Sequence, residues 1–158
     1  MTNKTKQLLA YIIKNYTQIS ITSLMKLSYI IDLVHISKTN KQISDFKYVR
    51  YTYGPFSYEI YDYLKSLIDC GVVIDSSDFT PMGDEFIIYR FNSDNEDFSF
   101  KDLDEEEIKT IDEVLDKLRG YGVRALTELA YRTKPMKKIG AKIGDKKNLN
   151  AELDLKAE

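Results

Sequence analysis

Tryptophan is absent from this chain, and cysteine and histidine each occur once. A single thiol, Cys70, excludes an internal disulfide or a multi-thiolate metal site and fits a reducing compartment. A single imidazole, His35, has no second histidine or thiolate cluster with which to complete a zinc site. A catalytic triad built on it would need a serine and an acid from elsewhere, and no nucleophile-elbow pattern supplies them. Glycine numbers only seven, and none falls in G-x-x-x-x-G-K-S/T or G-x-G-x-x-G, so the phosphate-cradling loops are missing too. No apolar run reaches the roughly 18 residues that would suggest a membrane span. The opening stretch from Met1 to Gln7 is polar, unlike a secretory leader. These absences predict a cytoplasmic protein that is not an enzyme, needs no metal or organic cofactor and has no membrane partner.

What is present is an ordinary soluble composition, 43% hydrophobic and 30% charged over 158 residues. That length suits one domain with a real core and is short for two. The sequence divides into a domain over 1–143 and a charged tail over 144–158, whose few apolar residues, Leu149, Leu153 and Leu155, predict fraying or a helix held only by a partner. The net charge of −2 conceals an asymmetry. Asp94, Glu96, Asp97, Asp102 and Asp104 to Glu107 form an acidic block, whereas Arg132, Lys134, Lys137, Lys138, Lys142, Lys146 and Lys147 form a basic end. Such a chain can steer oppositely charged partners.

The periodicity predicts a mainly α domain with a small β element, five to six helices and a short hairpin in an order that partly resembles a winged helix. Leu8, Leu9, Ile12, Ile13 and Tyr16 make one helical stripe. A second helix starts after Ser20 or Thr22 and runs to about Ser37. It carries apolar residues on more than one face, Leu24, Leu27, Ile31 and Val34 together with Met25, Ile30 and Leu33, which marks it as the central buried helix. The segment FKYVRYTY reads as a strand that Gly54-Pro55 stops, with Pro55 opening a third helix that turns Phe56, Ile60, Leu64, Leu67 and Ile68 inward. At the end of that apolar face Cys70 is expected to be a buried small hydrophobe. Val72 to Ile74 and Glu85 to Phe91 read as a hairpin. Asp104 and Glu107 have capping-box spacing for a fourth helix, and a fifth, carrying Val123, Leu126, Leu129 and Ala130, ends at Pro135.

Tyrosine is the abundant residue, at twelve. Tyr48, Tyr51, Tyr53, Tyr58, Tyr61 and Tyr63 crowd around Gly54-Pro55, and strand and helix spacings cannot bury all of them on one side. At least two exposed rings are expected there, and exposed tyrosine is an interface residue. Asp32 and His35, spaced i, i+3, can share a helix face, which permits a carboxylate–imidazole pair with a structural or partner-contact role.

Two motifs then stand in order: KLSYIIDLVH, from Lys26 to His35, and YVRYTYGPFSYEIYDYL, from Tyr48 to Leu64. Together they resemble the Panacea, or SocA-like antitoxin, domain, in which a "KLLYLADxxH"-like helix precedes a "YGPV" turn and a second helix. The resemblance runs from about Leu8 to Met136. It implies a bacterial or phage-borne antitoxin that neutralises a cognate toxin by direct binding, in some relatives as an adaptor presenting the toxin to a AAA+ protease. The partner-binding positions it implies are Lys26, Asp32, His35, Tyr51, Tyr53, Gly54, Pro55 and Tyr58. Where relatives often close the last helix with "hxxxPW", this chain has YRTKPMKK, in which Tyr131 and Met136 keep bulk without an indole N–H. The alternative from the residues is a winged-helix DNA-binding regulator, with the Val72 to Phe91 hairpin as wing. Its would-be recognition helix, however, sets Glu59, Asp62 and Asp69 against one lysine, Lys65, which repels phosphate.

Overall fold

A helix that is apolar all round must sit inside a protein, and α2 (Ile21–Thr39) does so. Leu24, Met25, Leu27, Tyr29 and Ile31 are wholly buried along it. The Ser20 hydroxyl accepts from the Ser23 N–H at its start, and Asn40, with φ 63°, ends it in the left-handed conformation. The computed structural model describes residues 1–95 and 97–157; Glu96 of the acidic block and Glu158 at the end of the tail lie outside the described residues.

Helix α1 (Asn3–Lys14), capped by Thr2, lays Leu8, Leu9, Ile12 and Ile13 on α2. Helices α4 (Glu105–Leu118) and α5 (Val123–Tyr131) pack against it from other sides, and α6 (Lys134–Lys138) follows with Pro135 in its first turn. The α4 capping box forms: the Asp104 carboxylate accepts from the Glu107 N–H while the Glu107 carboxylate accepts from the Asp104 N–H. Helix α3 (Ile60–Asp69) buries Ile60, Tyr63, Leu64 and Leu67. The α+β fold read from the sequence, helices with short antiparallel strands, is the fold observed. No helix among the described residues is long and apolar enough to cross a membrane.

The strands differ from expectation in three ways. Strands β4 (Val73–Phe79) and β5 (Glu85–Phe91) form the hairpin, but β4 continues well past Ile74, and β1 (Ile19–Ser20) pairs with β5 to give the order β1-β5-β4. Gly54-Pro55 does not stop the extended segment. It folds back as β3 (Gly54–Phe56) against β2 (Val49–Tyr51), across a turn at Thr52 and Tyr53, and α3 begins only at Ile60. Proline is tolerated because its partner Arg50 directs its own backbone bonds the other way, from its N–H to Ala151 O (2.9 Å) and to its carbonyl from the Asn150 N–H (2.7 Å).

Those bonds are the third difference. Residues expected to fray lie along β2, with Leu153 N–H also donating to Tyr48 O (2.9 Å) and the Leu153 side chain buried. A sequence scan weighs the tail's sparse apolar content and misses that an unpaired strand edge will recruit any backbone able to satisfy it. Cys70 is exposed, not buried, because α3 ends at Asp69 and the chain turns outward at Cys70 toward β4.

Candidate functional site

The two sequence motifs meet in space. Gly54 adopts φ 107°, and a Cβ there would come within 3.4 Å of both Lys26 Cε on α2 and the Tyr131 ring on α5, so glycine answers both backbone and space. The Lys26 ammonium, only 2% exposed, donates to the Pro55 carbonyl at 3.1 Å. No carboxylate among the described residues bonds to it, and burial pushes its pKa down to about 8. The Ser57 N–H points at Met25 Sδ (3.3 Å), a second tie between the turn and α2.

Arg50, fully buried in β2, was not singled out by the sequence. Its guanidinium donates to the carbonyls of Lys142, Asp145 and Lys147 and to the Tyr131 hydroxyl, and pairs with the Asp145 carboxylate at 3.0 Å. Tyr131 in turn donates to Thr52 O. One arginine thus binds the tail, α5 and the β2–β3 turn together. The signal in the sequence is a cation in the middle of the aromatic strand segment FKYVRYTY.

Asp32 and His35 do not pair. The Asp32 carboxylate is fully buried and accepts from the N–H groups of Ile43 and Ser44 (both 3.1 Å), the Ser44 hydroxyl (2.5 Å) and the Tyr48 hydroxyl (2.7 Å). Burial raises its pKa, opposed by these hydrogen bonds, and burial together with the neighbouring Asp32 raises Tyr48 well above its ordinary value. His35 Nδ1 lies 2.9 Å from the Thr110 hydroxyl. The Thr110 hydroxyl also reaches the Glu106 carbonyl at 3.1 Å, and the direction of its bond to His35 follows the imidazole tautomer. Asp32 therefore fixes the 42–48 loop and His35 fixes α4, both from beneath the surface.

The surface itself is aromatic. Tyr51, Tyr53, Tyr58 and Tyr61 are 42%, 67%, 53% and 56% exposed. Three of them gather on the buried ring of Phe56, with centroids 5.3 Å (Tyr51), 5.3 Å (Tyr58) and 5.9 Å (Tyr61) away. Of the positions the resemblance implied, Tyr51, Tyr53 and Tyr58 face solvent, whereas Lys26, Asp32, His35, Gly54 and Pro55 are buried supports. Tyr61 was missed as a site residue, although its i+3 spacing from Tyr58 across the start of a helix puts both on one side.

Among the described residues no group of three or more His, Cys, Asp or Glu is arranged to hold a metal ion. The charges are segregated. Residues 57–70 and 73–91, the α3 segment and the β4–β5 hairpin, carry seven carboxylates and two cations, whereas residues 131–147 carry seven cations and one carboxylate. A helix and wing of that sign repel nucleic-acid phosphates.

A family model described as antitoxin SocA-like, Panacea domain, matches residues 24–135, from α2 into α6 and across both motifs. No curated protein and no solved structure matches the chain.

Proposed function

This chain belongs to the antitoxin SocA-like, Panacea domain family, and on that premise we propose that it neutralises a cognate protein toxin by binding it directly through the tyrosine face. The observation that carries the proposal is the cluster of half-exposed rings seated on Phe56. Tyrosine gives large contact area and a hydroxyl at small entropic cost, and these rings stand on a turn already held by Lys26 and Arg50, so little is left to order on binding. Inhibition then needs no catalysis: the face occludes the toxin's working surface, and the encounter is cytoplasmic. Lys26 supports the face directly, Asp32 and His35 hold the neighbouring 42–48 loop and α4, and Tyr51, Tyr53 and Tyr58 make contact. The acidic α3 and hairpin weigh against a DNA-binding regulator.

Co-expression with the product of the neighbouring gene tests this. Wild type is expected to restore growth and to co-purify with the toxin, and a folded Tyr53→Asp variant to do neither, because a charge introduced into a desolvated contact is costly. Normal rescue by that variant removes the face from the mechanism; failure of wild type to bind removes the antitoxin reading. Toxin abundance in the same cells identifies the mode. Capture leaves it undiminished, whereas delivery to a AAA+ protease depletes it.

A further inference from the structure

The tyrosine cluster does not end at α3. Tyr61 on α3 lies 5.9 Å from Phe56, α3 packs against β4, and the hairpin turns the face that carries Val73 and Tyr89 into the core beside it. In the β4–β5 ladder Asp75 is opposite Tyr89, Ser77 opposite Ile87 and Phe79 opposite Glu85, so these six residues share one face. At the base of that face Tyr89 is buried; toward the tip Ile87 is 48% and Phe79 62% exposed. The hairpin therefore overhangs the core, and its outer end continues the apolar surface begun by Tyr58 and Tyr61.

The charges on the outer end of this surface have one sign, while at its base the Lys14 ammonium lies 5.4 Å from the ring of Phe91, which shares the Tyr89 face. Asp75 and Glu85 lie on it, and Glu85 is oriented by the Ser77 hydroxyl at 2.6 Å. Of the two cations in these segments, Lys65 is taken by Asp69 at 2.7 Å, and Arg90, one residue from Tyr89, points to the opposite face of the sheet. Apolar anchors set among carboxylates are complementary to a cationic protein surface with aliphatic side chains at its centre, since rim charges steer the encounter and desolvated anchors hold it.

Building on the antitoxin reading above, we propose that the surface running from Tyr58 and Tyr61 to Ile87 and Phe79 is one continuous docking site, and that the toxin surface it takes is basic. The face that covers the toxin thus includes the hairpin as well as the Tyr-Gly-Pro turn.

The experiment titrates the purified neighbouring-gene product against wild type, an Asp75→Lys/Glu85→Lys variant, and an Asp94→Lys/Asp97→Lys control that makes the same charge change on the exposed loop after β5. The expected result is a wild-type affinity that falls steeply between low and high salt, a loss of about tenfold or more in the hairpin variant, mostly in association rate, and little change in the control. Wild-type binding that salt and the hairpin variant leave unaltered overturns the proposal while the antitoxin reading stands. Equal losses in variant and control reduce the effect to net charge and also overturn it. Self-association of the free chain that the hairpin variant abolishes makes the occupant a second copy, against the proposal. Absence of any wild-type complex removes the antitoxin reading and this inference with it.

Discussion

Lys26 is an ammonium held where water is scarce, with the Pro55 carbonyl as its hydrogen-bond acceptor. Its pKa is about 8 folded against 10.5 for the free side chain. Between those values the unfolded chain binds more protons than the folded one, so stability rises as pH increases through that window and is at its full disadvantage below about 8. At about 1.4 kcal/mol per unit, the cost at neutral pH is at most about 3.5 kcal/mol. Urea unfolding of wild type is accordingly expected to show a gain of about 2 kcal/mol from pH 7 to 9.5. Lys26→Met is expected to be more stable than wild type at pH 7 and nearly flat over the same range. A wild-type profile without the rise contradicts the buried placement. Retention of so costly a residue, in contact with Gly54, is consistent with a side chain kept to shape the turn beneath the tyrosines.

The element that most depends on a single side chain is the C-terminal segment. Its backbone pairs with β2, and Arg50 collects three of its carbonyls and the Asp145 carboxylate. Arg50→Ala is expected to cost about 3 kcal/mol, the lower end for breaking a buried pair, because Asp145 remains 28% exposed. In hydrogen exchange the amides of Asn150 and Leu153 should lose protection first, while those of α1 and α2 keep theirs. Uniform loss across the molecule would show that Arg50 supports the whole core instead. Tyr58 also donates to Asn150 Oδ1 at 3.0 Å, so release of the segment frees one edge of the tyrosine face.

For the whole molecule, α2 is the axis and the other elements are its cover. Chelation with excess EDTA is expected to leave the melting temperature unchanged, since no metal-holding cluster occurs among the described residues. A drop of several degrees would reveal a site those residues do not show. Charge is distributed on the same scale, with the α3 segment and β4–β5 hairpin negative and the α5–α6 end positive. That separation favours one orientation of approach for a charged partner.

The sequence by itself determined the existence of α1 to α5, the capping box at Asp104 and Glu107, and the central position of α2, because each is written in the spacing of residues a turn or two apart; it set the start of α3 five residues early, at Pro55, and ran α5 on to Pro135, which lies in the separate α6. It also contained both family motifs and the excess of tyrosines. Tertiary structure decided what those residues do. It placed Pro55 in a strand, because Arg50 opposite turned its hydrogen bonds to the tail; it separated Asp32 from His35, because Ser44, Tyr48 and Thr110 offered each a closer partner; and it left Tyr51, Tyr53, Tyr58 and Tyr61 in solvent while burying Tyr48 and Tyr63. Spacing along the chain fixes which residues share a face, but whether that face is covered depends on elements tens of residues away. The candidate site is made of that second kind of information.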